Sequence, residues 1–472
     1  MIQAFTPIPA PTPPASKRSV AVLVVILVGQ FMAVLDASIV NVAIPALRTD
    51  LGAGGAGLQL IVTGYVIAYA VLLMTGARLG ERYTPRRVFL AGLAGFTIAS
   101  LACGLAWDEL SLIVFRCAQG AAAAAMVPQV MTMIQRTFTG AARARALGGY
   151  AAIVSGGLLA GQLLGGLIVD TDLAGSSWRG VFLVNVPLGL VLLAAAAAVL
   201  PDTVARTDRR LDGAGLSTLA IAVLLLVVPL MVGHELGYPL WSWVCLGAGV
   251  AGFAVFAAVQ RRMAACGREP LFAPQVVGAA GLLPAAGTLL VIMAVFGGWL
   301  FVISLHLQDA LGYSALRAGV QFLPIGVTFA VAGLCWQRLP KRWHAGIVPV
   351  GMVLGAGALG WLAWLLADGA ALGFAGSVAF GLLGVGNGLA FAPLMARALA
   401  AMPVTAAADA GGILITCVQL GMVLGVATFG SLFFALGATG VTDAVVTVQL
   451  AGGGGCLVAA ALALVAVRHT RR

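Results

Sequence analysis

The segment FMAVLDASIVNVAIPAL places Asp36, Ser38 and Asn41 within an apolar stretch. A carboxylate at such a depth costs about 2.5–3.5 kcal/mol on membrane-insertion scales and is retained mainly where it serves a function. Desolvation disfavours the charged form, which suits a group that takes up and releases a proton. The alternative is a structural hydrogen-bond node. A second segment, LIVFRCAQGAAAAAMVPQ, puts Arg116 in another apolar span with Gln119 one turn further on. Arginine does not usefully deprotonate, so it offers a fixed positive charge that pairs with or tunes a carboxylate. Asp36 is its candidate partner, the alternative being an arginine that snorkels to the near surface.

Two further motifs concern helix packing and gating. GGLLAGQLLGG sets Gly157, Gly161, Gly165 and Gly166 near one helical face around Gln162, a spacing that lets another helix approach at backbone distance. Gly421 and Gly425 form a weaker version. The short connection GARLGERYTPRR combines Glu81 with Arg82, Arg86 and Arg87. It is suited to latch two helices by ion pairs and helix-end dipoles, or else to form a solvated, orienting cluster.

These residues must be held by membrane-spanning elements. The chain is 61% hydrophobic and 9% charged, with a mean hydropathy of +1.06. Soluble domains carry about 25% charged residues. Apolar runs of roughly 20 residues, each long enough to cross the hydrocarbon as a helix, recur along the whole length. About fourteen helices are expected, the first near 19–42 and the last near 446–467. The fold class is therefore an all-α polytopic membrane protein. Its divisions are a Pro-rich tail (1–18), a six-helix bundle (19–200), an inserted helix pair 7–8 with flanking loops (201–277), a second six-helix bundle (278–467) and a short tail (468–472). The Pro-rich start before Lys17 and Arg18 resembles a signal sequence, but the span after it is too long and too polar, so it is read as a retained first helix.

Alternate connections are basic, including Arg78, Arg82, Arg86 and Arg87, then Arg136, Arg143 and Arg145, then Arg206, Arg209 and Arg210. The opposite connections hold Arg48, Arg179 and Arg317 and carry acids such as Asp50, Asp170 and Asp309. The positive-inside rule then puts both termini in the cytoplasm, and the expected location is a bacterial inner membrane. The net charge of +10 is explained by these loops, with no basic stripe for nucleic acid. Seven widely spaced cysteines give no disulfide framework or zinc site. The four histidines His234, His306, His344 and His469 form no metal-ligand spacing, and no GxxxxGK[ST] loop is present for ATP. No metal and no cofactor are expected, and nothing indicates an enzyme.

Together the motifs resemble the major facilitator superfamily, specifically its fourteen-helix drug:proton antiporters. LDASIVNVAIPAL resembles the helix 1 motif with its Asp at Asp36. GARLGERYTPRR resembles the loop 2–3 motif, and LIVFRCAQG the helix 4 motif with Arg116, Gln119 and Gly120. SSWRGVFLVNVPLG, RRLDGAG, LQDALGYSALRAGVQFLP and AADAGGILITCVQLGMVLGVA resemble further segments in the same order. Two departures stand out. Gln162 occupies the position after the middle glycine of the helix 5 motif where proline is usual, so a weaker bend is expected. Glu81 stands for the usual Asp, and Thr84-Pro85 for the usual Gly-Arg.

The resemblance implies alternating access. Helices 1–6 rock against 9–14 around a central cavity, with 7 and 8 peripheral, and small amphipathic molecules are exported for protons by a functional monomer. Asp36 and Arg116 would be the coupling residues, with Ser38, Asn41 and Gln119 in the cavity or in a polar network of helices 1 and 4. The scarcity of acids in the helices favours neutral, amphipathic or anionic substrates over dications. The alternative is a symporter or uniporter for a nutrient. A respiratory antiporter-like subunit needs membrane lysines, whereas Lys17 and Lys341 both lie in connections.

Overall fold

The structure is a computed structural model that describes residues 17–470 apart from 173–174, 202–211, 269, 273, 280, 368, 370, 401, 403–406 and 438–439. Most of the Pro-rich tail and the connection carrying Arg206, Arg209 and Arg210 lie outside the described residues. Hydrocarbon offers no partner for backbone N–H and C=O groups, so a chain this apolar satisfies them within helices. Among the described residues there are no strands and fourteen helices of membrane length. The first six are α1 (Arg18–Leu51), α2 (Gly55–Tyr83), α3 (Pro85–Gly104), α4 (Glu109–Thr137), α5 (Arg145–Thr171) and α6 (Ser177–Val199). Two follow, α7 (Gly213–Gly233) and α8 (Leu240–Ala265). The last six are α9 (Leu282–Ala310), α10 (Ala315–Arg338), α11 (Ile347–Leu366), α12 (Phe374–Ala400), α13 (Ala410–Gly437) and α14 (Val441–Leu464).

The first six helices and the last six pack by the same rule. α1 lies against α5 and α6, α2 and α3 against α4, and α3 against α6; α9 lies against α13 and α14, α10 and α11 against α12, and α11 against α14. The architecture is thus two six-helix bundles related by a shift of eight helices, as the resemblance implies. This repeat is not visible as sequence identity between the halves.

Glycines seal the corresponding pairs. A Cβ added at Gly161 would lie 1.8 Å from Ser38 Oγ and 2.8 Å from the Leu35 carbonyl oxygen, and one at Gly165 would lie 2.8 Å from the Ile39 oxygen. In the second bundle a Cβ at Gly425 would sit 1.9 Å from the Ala294 oxygen and one at Gly421 2.3 Å from the Leu290 oxygen. The α13 pair, the weaker motif by sequence, therefore gives the closer backbone approach. Gly166 departs from its neighbours, since its Cβ would meet the Ala315 oxygen of α10 at 2.6 Å.

The ends of the helices differ from the hydropathic expectation. α1 continues to Leu51 past Pro45, because its last turns carry Arg48, Thr49 and Asp50, which hydropathy does not score as membrane. α5 runs unbroken through Gln162. The inserted pair is only half peripheral. α8 presents exposed Trp243, Val244 and Val250, whereas α7 lies between α2 and α13 and touches both bundles.

Candidate functional site

Asp36 and Arg116 meet inside the first bundle. Arg116 Nη1 donates to Asp36 Oδ2 at 2.6 Å, and the side chains are 1% and 0% exposed. Arg116 therefore does not snorkel. Its register is set by α4, which starts with a capping box: the Asp108 carboxylate accepts from the Ser111 backbone N–H at 2.7 Å, and Ser111 Oγ accepts from the Asp108 N–H at 3.2 Å. Those hydrogen bonds hold the Asp108 carboxyl below its usual range. The cap is present at neutral pH and is lost as pH falls through that lowered value.

From the first turn Arg116 and Gln119 share a face at i, i+3. Gln119 Oε1 accepts from Arg116 Nη1 at 2.6 Å, while its Nε2 donates to Asp36 Oδ1 at 2.7 Å and to Ser100 Oγ of α3 at 2.7 Å. Asn185 of α6 donates to Asp36 Oδ1 at 2.9 Å. It follows a one-residue break at Val184, near Pro187, whose ring nitrogen has no hydrogen to donate to the carbonyl four residues back. Arg116 Nε donates to the Ile61 carbonyl of α2 at 3.2 Å. Its guanidinium is flanked by the rings of Tyr65 at 4.6 Å and Phe182 at 5.6 Å. Five helices thus enclose one ion pair whose carboxylate accepts from three donors. Charge-assisted bonds of this kind compensate burial, and removing either partner would strand the other.

The other expected residues of the α1 motif do not join this network. At about 100° per residue, Ser38 and Asn41 point about 160° and 140° away from Asp36. Ser38 Oγ donates to the Leu35 oxygen at 3.0 Å and to the Gly157 oxygen of α5 at 3.4 Å. Asn41 Nδ2 donates to the Ser38 oxygen at 3.1 Å, and its own carbonyl accepts from Ser304 Oγ of α9 at 2.6 Å. Gln162 donates to the Ser38 oxygen at 3.3 Å, tying α5 to α1 where proline could not donate. Of the predicted residues, then, only Asp36, Arg116 and Gln119 come together. Ser100, Asn185, Tyr65 and Phe182 complete the site; Phe182 and Asn185 lie in the SSWRGVFLVNVPLG segment, whereas Ser100 stands in its span as a single polar residue.

A second polar cluster joins the bundles at the end where α1 meets α2. Besides Ser304, Gln308 donates to the Val42 oxygen at 3.1 Å, and Arg48 pairs with Asp309 at 3.3 Å. Gln308 and Asp309 lie in a π-helical segment, His306–Ala310, a distortion found frequently at functional sites. Asp170 at the end of α5 accepts from the Ala315 and Leu316 N–H groups at 2.9 and 3.0 Å, capping α10. Along α5 the contacts with α10 run from Asp170 down to Leu159, whereas a Cβ at Gly148 or Gly156 would have nothing within 4 Å. The bundles are closed at this end.

At the opposite end the expected 2–3 connection shrinks to Thr84, and the basic residues in the last turns of α2 and the first turn of α3 reach main-chain carbonyls. Arg86 Nη2 donates to the Ala197 oxygen of α6 at 2.7 Å, and Arg78 Nη2 donates to the Pro270 oxygen and to the Leu271 oxygen, the latter at 3.3 Å. Arg82 lies over the Tyr83 ring. Arg87 donates its N–H to Thr84 Oγ1 at 3.3 Å. Thr84, where the resembling motif has glycine, sits at φ 117° and ψ 143°, a region essentially reserved for glycine. Such a residue costs about 1–3 kcal/mol, and the lost cap only a few tenths on substitution by glycine. Thr84→Gly should therefore raise the thermal or denaturant midpoint of the purified protein by about 1 kcal/mol equivalent; a lowered midpoint would contradict the strain.

A profile of the Major Facilitator Superfamily matches residues 26–426. The chain is 34% identical over 439 residues to a probable actinorhodin transporter of Streptomyces coelicolor, covering 90% of this chain and 74% of the relative. It is 36% identical to the cephamycin export protein CmcT of Amycolatopsis lactamdurans, covering 87% and 85%, and 34% identical to a tetracenomycin C resistance and export protein of Streptomyces glaucescens, covering 87% and 75%. Among solved structures, a bacterial homolog of the human lysosomal transporter Spinster, in an inward-facing and unoccupied conformation, superposes with a TM-score of 0.71 at 14% identity over 96% of this chain and 98% of that one.

Proposed function

The chain belongs to the major facilitator superfamily, and from that premise we propose that it exports small amphipathic antibiotics or related metabolites in exchange for protons. The observation that carries the exchange is the enclosed pair of Asp36 and Arg116. Protonation of Asp36 neutralises the carboxylate and leaves Arg116 held by Gln119 and the Ile61 oxygen. The same helix carries Asn41, whose carbonyl meets Ser304 of the other bundle. Five residues, about 7.5 Å of helix, separate proton site from interface. A change of charge at Asp36 is transmitted along α1 as a shift in the balance between open and closed bundle ends.

The alternating basic connections support the reading that both termini lie in the cytoplasm, with the chain in a bacterial inner membrane. The closed end then faces outward and the protein is inward-facing. One charge moving through 100 mV supplies about 2.3 kcal/mol, enough for roughly a fifty-fold gradient. The export direction draws on the stated roles of the relatives. The 19–200 and 278–467 bundles rock about the cavity between them, and a single chain suffices.

Expression in a drug-sensitive host provides the test. Cells making the protein should accumulate less of an aromatic antibiotic, and an uncoupler should abolish the difference. Proton-driven accumulation instead would make it an importer.

A further inference from the structure

The inserted pair is held unequally by the two bundles. Toward α2 the contacts at the two ends of the pair use charged groups, with one uncharged contact between them. At the outer end of α7, Glu235 Oε1 accepts from the Ala56 N–H at 2.9 Å, satisfying a free donor in the first turn of α2, and Met231 Sδ accepts from Thr63 Oγ1 at 3.8 Å. At the other end the buried Asp212 carboxylate accepts from the Gly215 N–H at 2.6 Å, from Gln260 Nε2 of α8 at 2.9 Å and from the Leu271 N–H at 2.9 Å. The strand of chain it holds is the one Arg78 of α2 grasps at Pro270 and Leu271. α7, α8 and their exit segment are thus tied to α2 at both ends.

Toward α13 the contacts are one hydrogen bond to a main-chain oxygen, one ring stack and apolar packing. Ser431 Oγ donates to the Leu230 oxygen at 2.6 Å, and the His234 ring stacks on Phe434 with centroids 5.8 Å apart. Below them Leu226, Val227 and Phe253 face Leu290, Leu420 and Leu424 across an apolar cavity of about 50 Å3 that is partly open to the surface. Charge-assisted hydrogen bonds exceed neutral ones roughly twofold.

We propose that the inserted pair is a strut that travels with α2 and the first bundle and slips against α13 during each transport cycle. The pair therefore helps close the outer end without joining the second bundle. This rests on the alternating-access reading above.

The test compares three paired cysteine replacements, each bridged by a short bis-methanethiosulfonate that forms a disulfide with each thiol and releases sulfinate, with drug uptake into inside-out vesicles as readout. The parent treated with the same reagent sets the baseline, and reductant must restore activity. Bridging Leu230→Cys to Ser431→Cys should lower uptake at least tenfold; bridging Thr63→Cys to Met231→Cys should leave it within twofold. Arrest by the second pair, or free transport with the first, overturns the strut. Bridging Asp170→Cys to Leu316→Cys joins the bundles directly. Transport that survives this third bridge rejects the rocking motion itself, whereas its arrest beside an active Leu230–Ser431 bridge rejects the strut alone.

Discussion

Asp36→Asn is expected to lower proton-coupled export at least 100-fold and to destabilise the protein by about 3–5 kcal/mol, the usual cost of stranding one member of a buried ion pair. The two effects have separate causes. Loss of exchange follows from removing the only buried carboxylate within a described span. Loss of stability follows from leaving Arg116, 1% exposed, with neutral partners alone. Adding Arg116→Met separates them, because replacing both members of a buried pair by neutral groups is often neutral or stabilising. The double variant should recover its unfolding midpoint while exchange stays absent. Recovery of pH-dependent export in that variant would make Asp36 a structural node, the alternative left open by its sequence.

Asp170→Asn is expected to favour the opposite conformation. The carboxylate accepts from two consecutive backbone N–H groups of α10, across the seam between bundles. Hydrogen bonds to charged groups contribute about 1.5–3 kcal/mol, and the exposure of Asp170 places this pair at the lower figure. A shift of about 1.4 kcal/mol moves a two-state equilibrium tenfold. A cysteine placed at Ala46, near the seam, should then react about tenfold faster with a membrane-impermeant thiol reagent from the outer side when Asp170 is asparagine. An unchanged rate would show that Asp170 does not hold the seam.

Much of this architecture is legible before any coordinates. Hydropathy and alternating basic loops foretell fourteen helices, since both follow directly from transfer into hydrocarbon and from the membrane field. Asp36, Arg116 and Gln119 are legible for a similar reason: charged and amide groups at depth are costly enough to stand out. Ser100 is not, because a lone hydroxyl in an apolar span has many structural uses, and Asn185, although inside the SSWRGVFLVNVPLG segment, gives no sign there of its partner Asp36. The strength of the Gly421 and Gly425 contact is likewise hidden, as spacing alone does not reveal which backbone lies opposite. Nor does a helix pair flanked by loops declare that one member sits between two bundles, as α7 does. That placement depends on tertiary contacts through Leu230, Met231 and Glu235, none of which forms a motif.

Proton-for-drug exchange is tested most directly in inside-out vesicles energised by respiration, with the internal pH followed while lipophilic antibiotics are added one at a time. With the wild-type chain, at least one compound should discharge the pH gradient within its uptake time, and the same compound should leave the gradient intact in Asp36→Asn vesicles. A labelled compound that equilibrates across both membranes without disturbing the gradient would contradict the exchange and leave a facilitator of the same fold.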